Sequence, residues 1–312
     1  MHRLGVALLF ALLLSGCEAG QFAIPKAEFS PDVVITSQDK SDAGVAVTLG
    51  TWNVNGFSFG SMPRYATIAW ALAKASVEVI AFEEVQIADL PSLRDALASS
   101  GSGLSYLVCS TQSDSYNSLA LASKYPILQA EEILLPSSGT WPRSVFKVRL
   151  DIGKGLTLFV CHLKADSSSA PYSDTSKLRI DEVSTLARYI RDNWPDSLAT
   201  ESLVILGDMN TTQPTNPAGD ARCLDYLALR DDILASNDFQ ALPDSVLALS
   251  EAWTWEGSVG GVLTRSALDH VFLSPAASRR YVGGSLKILR NDFDASMSSN
   301  SDHYPVVLDI SL

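Results

Sequence analysis

The sequence predicts an α/β (α+β) domain in which two mixed β-sheets pack against each other with helices on the outside. Two observations predict it. From Val45 onward, apolar β-type runs alternate with stretches of helical periodicity, so both element types belong to one domain. The helices are also separated by blocks of several β-runs with no helix between them, which a simple parallel βαβ wheel does not produce.

The elements follow in order. The run "VAVTLGTWNVN" begins the ordered part. "RYATIAWALAKA" carries apolar residues at Ile68, Leu72 and neighbouring positions, which fits a helix. "VEVIAFEEV" is a buried strand and "LPSLRDALAS" a second helix. Four β-runs come next: "LSYLVCS", "SLALASKYPI", "VFKVRLDI" and "LTLFVCHL". A helical pattern covers Thr175 to Asn193, the strand "SLVILGD" follows, and Asp220 to Ala235 has a helical pattern. Three final β-runs, "ALDHVFLS", "SLKILR" and "YPVVLDISL", close the chain. Each half thus runs from helix and strands to a β-block, with no repeat at short period.

The N-terminus is a targeting segment. "MHRLGVALLFALLLSGC" has a short basic start and an apolar run, Leu4 to Leu14, too short for the ~20 residues of a membrane span. Leu14-Ser15-Gly16-Cys17 resembles the bacterial lipobox, which implies cleavage after residue 16 and lipidation of Cys17. Residues 17–44 are polar and unpatterned, with Pro25 and Pro31, and read as a flexible tether. Residues 45–312 form the domain. A residue other than Asp at position 18, here Glu18, points to the outer membrane or the periplasmic face of the cell envelope; cell-surface exposure is the other location expected.

The chain of 312 residues is 46% apolar, enough for a sizeable core, and carries a formal charge of −12. Loss of the segment through Gly16 removes only Arg3, leaving the remainder near −13. Such a chain is not a general polyanion binder, because duplex binding is driven by Lys/Arg contacts. Action on phosphates therefore needs local positive charge or bound cations. Cys109, Cys161 and Cys223 have no regular spacing, so neither a disulfide framework nor a zinc site is indicated. Buried free thiols are the expectation for Cys109 and Cys161, with a bridge between them as the alternative.

Polar residues of a few types recur at strand ends. Asn53 and Asn55 follow "VTLGTW", Glu84 ends "VIAFEE", and His162 ends "LTLFVC". Asp208 and Asn210 end "LVILGD", Asp269 and His270 sit in "SALDHVFL", and Asp302 and His303 precede "YPVVL". One such terminus is ordinary; six in one chain point to a shared site, since open sheets build sites where strands end. Three of the four histidines, His162, His270 and His303, lie at these ends. Any one of them read alone is a structural histidine. Carboxylates and amides suit a hard cation, Mg²⁺, Mn²⁺ or Ca²⁺, rather than zinc.

These motifs resemble the endonuclease/exonuclease/phosphatase superfamily, the DNase I-like fold, from about Val45 to the C-terminus. The carriers are "TWNVNG", "VEVIAFEEVQ", "NSLALASKYPI", "VCHLKA", "GDMN", "LDHVFLS" and "SDHYPV". The resemblance implies a four-layer αββα sandwich with the active site at one edge of the two sheets. It implies a divalent ion, Mg²⁺ first, held by Glu84 with Asn53 nearby, and Asp302 at a second ion. His303 would be the general base, oriented by Asp269. Asp208 and Asn210 would position water and phosphoryl group, and His162 would donate to a phosphate or leaving-group oxygen. Asn55, Asn117 and Arg143 would contact substrate.

The chain also departs from the family pattern. Glu83 stands where a Gln is usual. Tyr116-Asn117-Ser118 lacks the acid that partners the first histidine in DNase I-like nucleases, so His162 lacks that carboxylate or finds another. Gln86 replaces a basic residue that reaches the minor groove. "GDMN" and "SDHYPV" also occur in bacterial sphingomyelinases. The expected activity is a metal-dependent phosphodiesterase, a nuclease first, with a nucleic acid as partner. A sphingomyelinase or phospholipase C comes second, and a phosphatase third. A non-enzymatic envelope binding lipoprotein is the remaining class.

Overall fold

The computed structural model describes residues 44–55, 63–111, 117–135, 144–166, 172–195, 197–211, 240–242, 251–290 and 301–312. All belong to one compact unit, Asp42–Leu312. Cys17, Arg143, Cys223 and the helical pattern of residues 220–235 lie outside the described residues.

The first sheet contains β1 (Ala46–Asn53), β2 (Val79–Gln86), β3 (Tyr106–Cys109), β4 (Asn117–Ser123), β13 (Lys287–Ile288) and β14 (Val306–Ser311), in the order β13-β14-β1-β2-β4-β3. The second contains β5 (Ile127–Leu134), β6 (Ser144–Leu150), β7 (Leu156–His162), β8 (Ser202–Asp208), β9 (Gln240–Leu242) and β12 (Asp269–Leu273), in the order β5-β6-β7-β8-β12-β9. Each sheet has one parallel pair, β1 with β2 and β7 with β8. A parallel pair needs a crossover, and a helix supplies it each time. Helix α1 (Pro63–Lys74) links the first pair and α3 (Tyr172–Asn193) the second. Helix α2 (Leu90–Ser99) follows β2, and α4 (Pro275–Ser278) is a single turn.

Three apolar clusters define four layers. Val47, Leu49, Val79 and Ala81 of the first sheet meet Leu158, Val160, Val204, Leu206 and Val271 of the second. The outer face of the first sheet packs on Ile68, Leu72, Leu93 and Leu97 of α1 and α2. That of the second packs on Val183, Leu186 and Ile190 of α3. Cys109 packs in the first outer cluster and Cys161 in the second, so the two thiols are free and lie on opposite sides of the sandwich.

Several elements differ from the sequence reading. The run "SLALASKYPI" splits: β4 ends at Ser123, and "ILQAEEIL" is a separate edge strand, β5. Its alternation is masked by Gln129, Glu131 and Glu132, the polar dressing expected of an edge strand. Glu131 faces Lys147 across the ladder at 2.6 Å. "SLKILR" contributes only two strand residues. A hairpin, β10 (Trp255–Val259) and β11 (Val262–Ser266), was not foreseen. Gly260-Gly261 between two β-rich runs is its sequence signal.

Candidate active site

Alternate residues of a strand share a face, and that rule builds the site. On β1, Val47 and Leu49 point between the sheets, and the same face continues with Thr51 and Asn53. On β2 it runs Val79, Ala81, Glu83. On β7 it is Leu156, Leu158, Val160, His162, and on β8 it is Val204, Leu206, Asp208. The inter-sheet core therefore turns polar at one end of the sandwich. Register brings these ends together. Asn53 is level with Glu83, and His162 and Asp269 are both level with Asp208. The antiparallel β14 starts at this end, which puts Asp302 and His303 there too.

Local backbone adjustments aim the remaining groups. Glu84 has a φ of +58° at an irregularity in the β2–β4 pairing between Phe82 and Val85. The bulge lets consecutive acids serve the same end of the core. Asn55 and Asn210 also have positive φ, +44° and +48°, a strained conformation that clusters at functional sites. Gly207, at φ +137°, permits close approach just before Asp208: a Cβ there would lie 1.9 Å from the Cys161 carbonyl oxygen.

The contacts form one connected cluster. The Asn53 amide Nδ2 donates to Asp208 Oδ2 at 2.9 Å and to Glu84 Oε1 at 3.2 Å. His162 Nε2 lies 3.7 Å from Asp208 Oδ2 and 3.8 Å from Glu84 Oε1. His303 Nδ1 is 2.8 Å from Asp269 Oδ2, and its Nε2 is 3.8 Å from Asp208 Oδ2. The Asn210 backbone N–H donates to Asp208 Oδ1 at 2.8 Å, and its amide to the Leu163 carbonyl at 3.0 Å. Asp302 accepts from Asn55 Nδ2 and from Trp255 Nε1, each at 2.8 Å. Asn117 opens β4.

Several supporting residues escaped the sequence reading. The Thr254 hydroxyl donates to Asp269 Oδ2 at 2.6 Å and accepts from the Leu268 and Asp269 N–H groups, fixing that carboxylate. Ser301 donates to the Asn53 carbonyl at 2.7 Å and accepts from the His303 N–H, joining β1 to the His303 turn. The Trp52 indole donates to the His303 carbonyl. Arg64 of α1 donates to the carbonyls of Val54 and Asn55, holding the end of β1. No motif spacing marks these residues, because their contacts to the site lie 9 to 251 positions away. His270 faces away from the cluster, with Nε2 at 3.0 Å from the Thr211 and Ala267 carbonyl oxygens. It is the structural histidine of the three.

Burial and crowding set the charges. Burial pushes the Asp208 carboxyl up to about 7, with the Asp269 charge adding to it and His303 opposing. Burial opposes a charge on His303, but Asp269 and Asp208 outweigh it and push the imidazole up to about 10. Glu83 is fully buried, accepts from the Thr51 hydroxyl at 2.6 Å, and has no partner at Oε2 among the described residues. Burial holds it well above the usual carboxylate range, with Asp269 and Asp208 adding to the shift. A neutral carboxylic acid in this position has the shape of a Gln amide.

Glu83→Gln is therefore expected to preserve the fold and to gain stability over wild type as pH rises. The folded acid keeps a proton that the unfolded chain releases above its lower pKa. Wild-type stability then falls with rising pH in that window, and the variant lacks this fall. Melting curves at about pH 5 and about pH 8 check it: the advantage should be present at the higher pH and shrink at the lower.

The donor set fits a hard cation. Carboxylate and amide oxygens dominate, and no thiol competes among the described residues. Asp208, Asp269 and His303 each offer a ligand atom within 4.8 Å of one another, all buried. Acids this crowded and dry gain from a positive charge among them.

The family model described as "Endonuclease/Exonuclease/phosphatase family" matches residues 50–299. No curated protein matches the chain in sequence. Solved structures share the fold at low identity. TDP2 from C. elegans is 16% identical with a TM-score of 0.62, covering 87% of this chain and 77% of its own. D. rerio TDP2 complexed with single strand DNA product is 14% identical with a TM-score of 0.61, covering 86% and 99%. The mannosyl-6-phosphatase of Bacteroides thetaiotaomicron is 15% identical with a TM-score of 0.62, covering 85% and 100%.

Proposed function

The chain belongs to the endonuclease/exonuclease/phosphatase family, and from that premise we propose that it is a divalent-metal-dependent phosphodiesterase whose first substrate class is nucleic acid. The His303–Asp269 pair, gathered with Asp208, Asn53 and Glu84 at the polar end of the sandwich, carries the reading.

Asp269 accepts from Nδ1 of His303 and is itself held by Thr254. That fixes the tautomer and leaves Nε2 to take a proton from an attacking water. Asp208, held by the Asn210 backbone N–H, orients the water, and the Asn210 side chain the phosphoryl group. His162 stands on the other side of Asp208 and Glu84, where it can donate to a phosphoryl or leaving-group oxygen. Glu84 and Asn53 would hold the cation, Mg²⁺ first, which supplies charge neutralisation on the phosphate and assistance to the departing oxygen. Asp302, already bound to Asn55 and Trp255, frames the rim from the His303 side.

The single-strand DNA product held by a structure of the same fold supports nucleic acid as the first substrate. The net charge of −12 opposes a long polyanion, so this reading depends on the cation to offset repulsion. The lipobox-like Leu14-Ser15-Gly16-Cys17 favours a second reading, a lipid phosphodiester, and a lipid anchor at Cys17 in the cell envelope. Parallel incubation with plasmid DNA, RNA, sphingomyelin and phosphoinositides, each with Mg²⁺ and with chelator, separates the readings. Chelator-sensitive cleavage of DNA or RNA is expected. Cleavage confined to sphingomyelin or phosphoinositides would reassign the substrate to lipids, and no cleavage of any diester would remove the phosphodiesterase reading.

A further inference from the structure

The hairpin β10–β11 gathers exposed aliphatic side chains beside the site. Val259, Val262 and Leu263 at its tip are 57%, 66% and 65% exposed. They flank the Gly260-Gly261 turn, and no residue from Gly257 to Thr264 carries a charge. The nearest charges, Glu256 and Arg265, neutralise each other at 2.6 Å near the hairpin base.

That base is fixed to the turn that carries His303. Trp255 forms a bridge with His303, the Glu256 N–H donates to the Asp302 carbonyl at 3.0 Å, and the Trp255 indole donates to the Asp302 carboxylate. Arg265 stacks on Trp253 at 4.4 Å. Trp253 in turn meets Arg290 at 4.2 Å and Tyr304 edge-on at 5.3 Å. From Trp255 to Val259 the strand reaches about 13 Å away from this anchor, at ~3.3 Å per residue. The tip is thus an apolar projection whose base is anchored beside the active site.

Its chemistry selects among partners. A nucleic acid would ask for Lys or Arg against phosphate, or an aromatic face for base stacking, and the tip has neither. Aliphatic residues at the end, a half-buried indole further back and paired charges at the base match an interfacial segment. The sequence adds a reason for a bilayer to be near. The lipobox-like Leu14-Ser15-Gly16-Cys17 would anchor the chain to one through a lipid on Cys17. We propose that the tip of this hairpin docks into the surface of a lipid bilayer and brings the mouth of the active site against the membrane. The docking rests on the position of the site and not on which phosphoester is cut.

The test uses the chain from Glu18, which lacks Cys17 and keeps the compact unit Asp42–Leu312. Sedimentation with phosphatidylcholine vesicles measures docking, and Mg²⁺-dependent hydrolysis of bis-p-nitrophenyl phosphate measures the site. Wild type should partition onto vesicles, with little change in about 0.5 M salt because apolar contacts are not screened. Val262→Asp/Leu263→Asp should lower partitioning at least about tenfold, since charge is expelled from the interface, while soluble-substrate turnover stays within about twofold. Should the double variant lose turnover as well, Leu263→Ser, a milder change at an exposed position, takes its place with the same expected direction. Wild type left in the supernatant, equal binding by the variants, or binding abolished by salt would overturn the proposal. So would single-stranded DNA binding lost in the variants with vesicle binding unchanged. Failure of wild-type turnover would instead count against the phosphodiesterase reading, and the vesicle result would stand separately.

Discussion

His303→Ala is expected to lower kcat by at least ~10²–10⁴-fold, the contribution of a positioned base. Asp269→Asn should cost nearly as much, because an amide at 2.8 Å from His303 Nδ1 no longer fixes the tautomer. The double variant should be little worse than either single, since parts of one unit are not additive. The pH profile adds a sign. A base works only when neutral, and the neighbouring carboxylates pull His303 up to about 10 in the absence of a cation. Activity should therefore rise with pH through an acidic limb displaced above the ordinary histidine value. Raising Mg²⁺ should move that limb to lower pH, because positive charge near Asp208 offsets the carboxylates. The limb should vanish in His303→Ala. Near-wild-type rates in that variant, or a limb unmoved by Mg²⁺, would assign His303 to structure.

Glu84→Gln is the second large effect. The substitution keeps the shape and the contact from Asn53 Nδ2 but removes a carboxylate charge that lies 3.8 Å from His162. Activity should fall by roughly the ~10²-fold or more expected when a charge-stabilising group is lost from a dry site. Mg²⁺ affinity by calorimetry should weaken in parallel, with the melting curve of the apo protein unchanged or raised, because one of several crowded acids is gone. Full activity with intact Mg²⁺ affinity would move the cation to another part of the cluster, with Asp208 the next ligand to test.

Much of this was legible in the sequence, for a specific reason. The inter-sheet face of a strand reads as alternate apolar residues, and a polar residue ending that series on the same parity is visible as a break. Asn53, His162, Asp208 and Asp269 all obey that parity, and their strands end at the same level. Glu84 breaks parity, and only the bulge with its positive φ explains how it joins them. His270 shows the converse. It shares a motif with Asp269 but lies one residue on, and so faces the outer cluster. Thr254, Ser301 and Arg64 were hidden because their roles depend on contacts 9 to 248 positions away. The hairpin was hidden by a different cause: its outer residues pack against nothing in the described chain, so no buried alternation announces them.

The most direct measurement is hydrolysis of bis-p-nitrophenyl phosphate by the wild-type protein in Mg²⁺, after EDTA, and after Mg²⁺ is restored, with His303→Ala beside it. A metal-dependent site with His303 as its base gives turnover in Mg²⁺, loss with EDTA, recovery on restoring the ion, and a variant at least ~10²-fold slower throughout. Turnover that survives EDTA, or a His303→Ala variant as fast as wild type, would contradict it.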